Sequence, residues 1–334
     1  MNEPLPTKTL LEIRRDGYPE LKWKIHRLIP DRGITIFGGP SGSFKTWVAM
    51  QLALSCASGE LFLHHFDTKK FNVLYVDEEN GNITLPNRFD LLIKGHNHVH
   101  NFGNLYVVQF ANVKLDENLV SGRLEYYIKH CNVRLIIFDS MVRCMLGEED
   151  SSKDVRVVFD NLKFVLKSVE DLSIVILHHT AKGKKGLDGL RGSGDFAAFA
   201  DVVLMFNPTR GNLVNIEIAK NRHIDLTKFS QFSIEVINTN EGGLLLAYSE
   251  YADAGGNINA IERLKEDLLK HFKQENLEEF QSGSLLMIMC RKGHSKTNFY
   301  AALKQLKDEM FITKVTQGKW MVRQLKISEE VIED

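Results

Sequence analysis

The sequence predicts an α/β protein with a mainly parallel sheet, followed by a small C-terminal module of helices and a hairpin. Three observations carry that prediction. Short, near-continuously apolar runs alternate with longer segments of helical period from about residue 30 to 250. Strands apolar on both faces belong in a sheet covered by helices on both sides. A glycine-rich turn joins the first such run to the first such helix, and at 252–257 the composition shifts to ADAGGN, which reads as a linker. A length of 334 residues suggests about two domains. Hydrophobic residues at 43% and charged residues at 25% exclude disorder as the dominant state, and a chain of this size buries a core without disulfide staples. The net charge of -1 leaves no global basic field, so nucleic-acid affinity must be local or created by assembly. Cys56, Cys131, Cys144 and Cys290 are scattered without a CxxC pair, which argues against a cysteine zinc site and fits a reducing compartment. The N-terminus carries charges where a signal peptide needs an apolar stretch, and no run of 18 or more apolar residues occurs. The expectation is a cytoplasmic protein with no membrane partner.

The elements follow in order. Residues 1–29, with Pro4, Pro6 and Pro19, read as an N-terminal arm or short helix. GITIF (33–37) is the first strand, and WVAMQLALSCAS (47–58) is a helix ended by Gly59. NVLYV (72–76) and NLYVVQF (104–110) are strands, RLEYYIKHC (123–131) is an amphipathic helix, and VRLIIF (133–138) is a further strand. DVRVVFDNLKFVLKSVED (154–171) repeats apolar residues at helical spacing before the strand LSIVIL (172–177). DVVLMF (201–206), NLVNIEIAK (212–220) and QFSIEVIN (231–238) read as later, antiparallel or edge-like strands. The divisions are thus an arm (1–29), an α/β unit (30–251), a C-terminal module (258–323) and an acidic tail (324–334).

Gly39, Pro40, Ser41, Gly42, Ser43, Phe44, Lys45 and Thr46 follow a strand and open a helix, resembling GxxxxGK[ST] with one departure. Such a loop turns backbone N–H groups inward around a phosphate, and the helix adds its positive N-terminal end. Lys45 would reach the β/γ-phosphates and Thr46 would offer its hydroxyl to Mg2+. Phe44 stands where glycine is usual, so the position is expected to take a backbone conformation that a side chain allows.

Asp139 ends a buried strand, where α/β sheets bind ligands, and is expected to hold Mg2+ directly or through water. NVLYVDEEN (72–80) places Asp77, Glu78 and Glu79 after the second strand, where one carboxylate could polarise the attacking water and the others could cap a helix. His178 and His179 end a further strand, and one of them is expected to sense the γ-phosphate.

Together these segments, with LRGSGDFAAFADVVLMF and AKNRH, resemble the RecA-like P-loop ATPases over roughly residues 21–240. The likeness is strongest to the RepA-type hexameric replicative helicases, with DnaB helicases as more distant relatives. The resemblance implies a RecA-like ATPase that binds ATP and Mg2+ between subunits of a hexameric ring and moves on DNA, single-stranded above all. It implies that Glu79 activates water and that Lys220 and Arg222 of Lys220-Asn221-Arg222 reach the neighbouring subunit's γ-phosphate. It also implies that the loop 181–195, with Lys182, Lys184, Lys185 and Arg191 among glycines, lines the central channel; such a loop suits a phosphate backbone.

Residues 281–323 read as helix, turn, helix and wing, a winged-helix layout. Eight cations oppose only Asp308 and Glu309, a net +6, so Lys296 and Lys319 are expected to touch DNA; packing on the ATPase or on another protein is the competing reading. His96, His98 and His100 alternate without a nearby Cys or acid and read as a solvated loop rather than a metal site. The functional expectation is a DNA helicase; the alternative is an ATP-gated DNA-binding switch, such as a recombinase-like mediator, helicase loader or regulator, without unwinding activity.

Overall fold

The computed structural model describes residues 7–18, 20–96, 102–117, 119–180, 186–190, 194–209, 212–227, 229–239, 241–249, 258–292 and 294–322. In chain order the elements begin with α1 (Leu10–Asp16), β1 (Trp23–Ile25), β2 (Ile29–Pro30), β3 (Ile34–Gly39), α2 (Lys45–Ser58) and β4 (Asn72–Asp77). They continue with α3 (Gly81–His96), β5 (Leu105–Gln109), α4 (Val120–His130), β6 (Val133–Asp139), α5 (Ser152–Ser168), β7 (Ser173–His179), α6 (Asp195–Phe199) and β8 (Val202–Pro208). β9 (Leu213–Asn221), β10 (Gln231–Asn238) and β11 (Leu244–Ser249) complete the large sheet. α7 (Ile258–Gln274), β12 (Glu279–Gln281), α8 (Ser282–Arg291), α9 (Lys296–Asp308), β13 (Ile312–Lys314) and β14 (Lys319–Val322) form the C-terminal module.

One nine-stranded sheet, ordered β11-β10-β9-β8-β3-β7-β6-β4-β5, organises the α/β unit. The six strands from β8 to β5 run parallel and β9, β10 and β11 antiparallel. β7 separates the strand that feeds the glycine loop, β3, from the strand that ends in Asp139, β6, an order consistent with a RecA-like core. Side chains alternate across each strand, so Phe37, Tyr75 and Ile137 join α2 and α3 in one apolar layer. Ile36, Val76 and Phe138 join α4, α5 and α6 in the other.

Several sequence readings change. β8 pairs parallel with β3, Thr35 opposite Val202, so only β9 and β10 among the three later strands are antiparallel. Residues 23–30, read as part of the arm, instead bury Ile25, Leu28 and Ile29 in the first apolar layer. α3 has no counterpart in the sequence reading: Pro86 interrupts its pattern, and only Gly81, Leu85, Leu92 and Gly95 are buried along it. His96 ends that helix and stacks on His64, ring centroids 4.7 Å apart, so it does not belong to an extended loop. His98 and His100 lie outside the described residues.

The C-terminal module has its own apolar centre, drawn from Leu264, Leu268, Phe272, Met289, Phe299 and Leu303. That centre continues onto Ile237, Leu245 and Ala247 of β10 and β11. β12 pairs with β14, which makes the expected hairpin a three-stranded sheet. Among the described residues no helix is long and apolar enough to cross a membrane.

Candidate nucleotide site

The site sits where β3, β4, β6 and β7 end. Parallel pairing sets those ends side by side: His179 lies opposite Gly39, and Asp77 opposite Asp139. At Gly39 a Cβ would stand 2.7 Å from Ser43 Oγ and 2.8 Å from the Phe206 carbonyl oxygen, so only glycine permits the closed turn. Lys45 begins α2 and is 6% exposed. Its Nζ donates to the Gly39 carbonyl at 2.8 Å, the Pro40 carbonyl at 2.8 Å and Ser43 Oγ at 3.3 Å. Burial pulls its ammonium down to about 8, against the opposing pull of Asp139 and Glu79.

Phe44 corrects the conformational expectation. It adopts φ 67°, ψ 9°, the left-handed region that favours glycine, while its ring packs against the first apolar layer. The loop therefore keeps the backbone that the usual glycine provides, and tertiary packing holds a bulky residue there.

The four acids have separate environments. Asp77 accepts from the Asn80 and Gly81 backbone N–H groups, at 2.9 and 3.0 Å, and fixes the start of α3. Glu78 turns away and accepts from the Val113 N–H at 2.9 Å. Glu79 faces the loop, with His179 Nε2 3.8 Å from its Oε2. The His179 ring, with the Ser140 hydroxyl, holds the Glu79 carboxyl down at about 2 against its partial burial. Asp139 is 1% exposed, and burial pushes its carboxyl up to about 6 despite donors at both oxygens. Thr46 Oγ1 lies 3.4 Å from Oδ1; Tyr75 Oη donates to Oδ2 at 2.9 Å and Asn80 Nδ2 at 3.2 Å.

The two histidines diverge as strand alternation requires. His178 is 1% exposed and stacks on Phe196, ring centroids 4.3 Å apart, whereas His179 faces Glu79. Tyr75 and Asn80 escaped the sequence reading. Tyr75 shares a face of β4 with Asp77, so strand alternation is the signal that points to it.

A hydroxyl and a carboxylate side by side, Thr46 and Asp139, are hard oxygen donors of the kind Mg2+ takes. A lysine seated on loop carbonyls beside them suits a polyphosphate. The residues present therefore fit a magnesium–nucleotide complex. A family profile described as an AAA domain matches residues 3–185, more than half of the chain.

The chain belongs to this AAA domain family. Its members are P-loop ATPases, which bind nucleotide, usually with Mg2+. The matched span includes the glycine loop, Glu79, Asp139 and His179 and ends before β8. No curated protein matches the chain.

Lys220 and Arg222 are distant from this family's phosphate loop in the same subunit. Arg222 N donates to the Asp201 carbonyl and Asp201 N to that of Ile34, which places Arg222 level with the start of β3. Gly39 is five residues further along, ~16 Å at the usual strand rise. Lys220 Nζ donates to the carbonyls of Ala197 and Ala198, and Arg222 contacts Ala198 O and Asp201 Oδ1. Burial and the Arg222 charge lower the Lys220 ammonium. Lys182, Lys184, Lys185 and Arg191 lie outside the described residues; Thr180 and Leu190, which flank most of that segment, bridge to each other. In the C-terminal module the Lys296 backbone N–H donates to Glu235, and Lys319 Nζ pairs with Glu279 at 2.9 Å.

Proposed function

We propose that this ATPase is a DNA-translocating motor, a helicase of the RepA type, working on single-stranded DNA as a hexameric ring with its ATP sites between subunits. The observation that supports it best is the position of Lys220 and Arg222 at the sheet end opposite their own phosphate loop. Cations so placed lie away from their own phosphate loop, which suits a nucleotide held by another subunit. Head-to-tail repetition of such a contact closes into a ring when the rotation permits.

In this reading Lys45 exchanges the carbonyls of Gly39 and Pro40 for the β/γ-phosphates. Glu79, ionised at neutral pH, accepts a proton from the attacking water. His179 Nε2, beside Glu79, reports the γ-phosphate to the segment that follows β7. Thr46 and Asp139 hold Mg2+, which supplies charge neutralisation at the phosphates. The partner's Arg222 stabilises charge on the transferred phosphoryl group. Lys182, Lys184, Lys185 and Arg191 follow His179 directly in sequence, which would couple strand contact to the site.

The domain reading in this proposal is an ATPase unit over 30–251 and a winged helix over 258–323. The module's order of helix, strand, helix, helix, strand, strand supports it. One observation favours the second reading, an ATP-gated switch without unwinding. The module's apolar centre continues onto β10 and β11, the Lys296 backbone N–H donates to Glu235 of β10, and Lys319 pairs with Glu279 inside the module. A docked module suits a regulator as well as a DNA reader.

The distinguishing experiment is the mass of the protein with a non-hydrolysable ATP analogue, with and without oligothymidine, joined to a strand-displacement assay. A closed six-subunit species that displaces strands is expected. A dimer or an open filament without displacement would overturn the helicase in favour of the switch.

A further inference from the structure

We propose that Asn80 and Arg88 are positioning residues that set the Asp139 carboxylate against Thr46. This inference rests on the nucleotide-site reading above. The two residues belong to a closed circuit of contacts that joins three elements. Asn80 Nδ2 donates to Asp77 Oδ1 at 2.8 Å and to Asp139 Oδ2 at 3.2 Å. Arg88 Nη1 donates to Asn80 Oδ1 at 2.7 Å. The Arg88 guanidinium also lies over the Trp47 ring, 5.2 Å from its centroid. Trp47 is the residue after Thr46, and Thr46 Oγ1 returns to Asp139 Oδ1 at 3.4 Å.

The chemistry of the amide makes the circuit directional. An asparagine has two donor hydrogens and one acceptor oxygen, and its neighbours decide which way it faces. With Arg88 on its oxygen, Asn80 must turn its NH2 group toward Asp77 and Asp139. Among the described residues Arg88 is the group that holds that oxygen. Without it the two carboxylates still select the NH2 group, but Asn80 loses its anchor to α3, and Asp139 loses its fixed place beside Thr46. Tyr75 Oη, 2.9 Å from the same Oδ2, does not replace this link, because it acts from within β4 and ties Asp139 to neither α2 nor α3. Arg88 lies in α3 and Trp47 in α2. The circuit therefore carries the position of α3 to the Thr46–Asp139 pair.

Groups that orient metal-binding side chains typically change metal affinity about 10–100-fold when removed. The test is calorimetric titration of full-length protein with adenylyl imidodiphosphate, once with Mg2+ and once with chelator. The quantity read is the dissociation constant with chelator divided by that with Mg2+. In Arg88→Met and Asn80→Ala that ratio should fall about tenfold or more, while the magnesium-free affinity stays within about twofold. Circular dichroism should confirm that both variants fold. A ratio equal to that of the unsubstituted protein would overturn the proposal. So would an equal loss with and without Mg2+, because Arg88 would then act on the nucleotide itself. If the unsubstituted protein binds no analogue under either condition, the nucleotide-site reading fails first, and this inference falls with it.

Discussion

The two ends of the large sheet use charge in different ways. Where β3, β4, β6 and β7 end, the acids of β4 and β6 meet His179 of β7 and Thr46 of α2, and Lys45 is buried on carbonyls of its own loop. At the start of β3 and the end of β9, Lys220 and Arg222 rest on the last carbonyls of α6, the Arg222 side chain 49% exposed. The first end is arranged to enclose a ligand; the second holds its cations on backbone carbonyls near the surface. In the proposed reading these are two halves of a site that a neighbouring subunit would complete.

The largest expected effect breaks the first end. Lys45→Ala removes the cation seated among Gly39, Pro40 and Ser43, so nucleotide affinity and hydrolysis should both vanish. Calorimetry and phosphate release measure this, and unchanged turnover would refute the phosphate-loop assignment. Next comes the base. Glu79→Gln should bind nucleotide near normally and hydrolyse it about 10²–10⁴-fold more slowly. Glu78→Gln keeps an acceptor for the Val113 N–H and should hydrolyse at nearly the normal rate. The reverse ranking would shift the base by one residue.

The acid limb of the rate profile sharpens the same comparison. Glu79 is held at about 2, below its usual 4.5, chiefly by His179. Its carboxylate is therefore ionised across the working range, and its contact with His179 adds stability above pH 4.5 that is lost as pH falls toward 2. His179→Ala should raise the Glu79 value toward the usual one. Beneath the limb that Asp139 contributes near 6, a second limb of kcat from Glu79 then rises into the range near 4.5, as stopped-time assays between pH 4 and 8 would register. A profile unchanged from that of the unsubstituted protein down to pH 4 would mean that His179 does not govern Glu79.

The smallest effect concerns Phe44. A left-handed backbone costs a side-chain-bearing residue ~1–2 kcal/mol, and loss of the ring from its apolar contacts costs a similar amount. Phe44→Gly should therefore change unfolding free energy by no more than ~1 kcal/mol and leave nucleotide affinity intact. Urea denaturation decides it; a loss several times larger would make the ring an anchor of the loop.

The phosphate loop, Asp139 and the parallel strands were legible because each couples a local pattern to a fixed place in the fold. Apolar runs gave away buried strands, and the residues that end them gave away the site. α3 was not legible, since Pro86 and a sparse apolar stripe hide a helix that tertiary contacts complete. The parallel pairing of β8 was equally hidden, because pairing direction is set by partners distant in sequence. Asn80 and Arg88 escaped because their role lies in contacts with Asp139 and Trp47, far apart in the chain. Phe44 read as a departure in sequence and proved to keep the glycine-like backbone, which composition alone cannot reveal.

The central claim is that Lys45 and Arg222 serve one nucleotide from two subunits. The most direct measurement mixes two inactive proteins, Lys45→Ala and Arg222→Ala, at varied ratios and follows phosphate release. Arg222→Ala alone should bind nucleotide and fail to hydrolyse it. In the mixture, some interfaces pair an intact phosphate loop with an intact Arg222, so turnover should reappear and peak at an intermediate ratio. No turnover at any ratio, with mixed assemblies shown to form, would contradict a site shared between subunits.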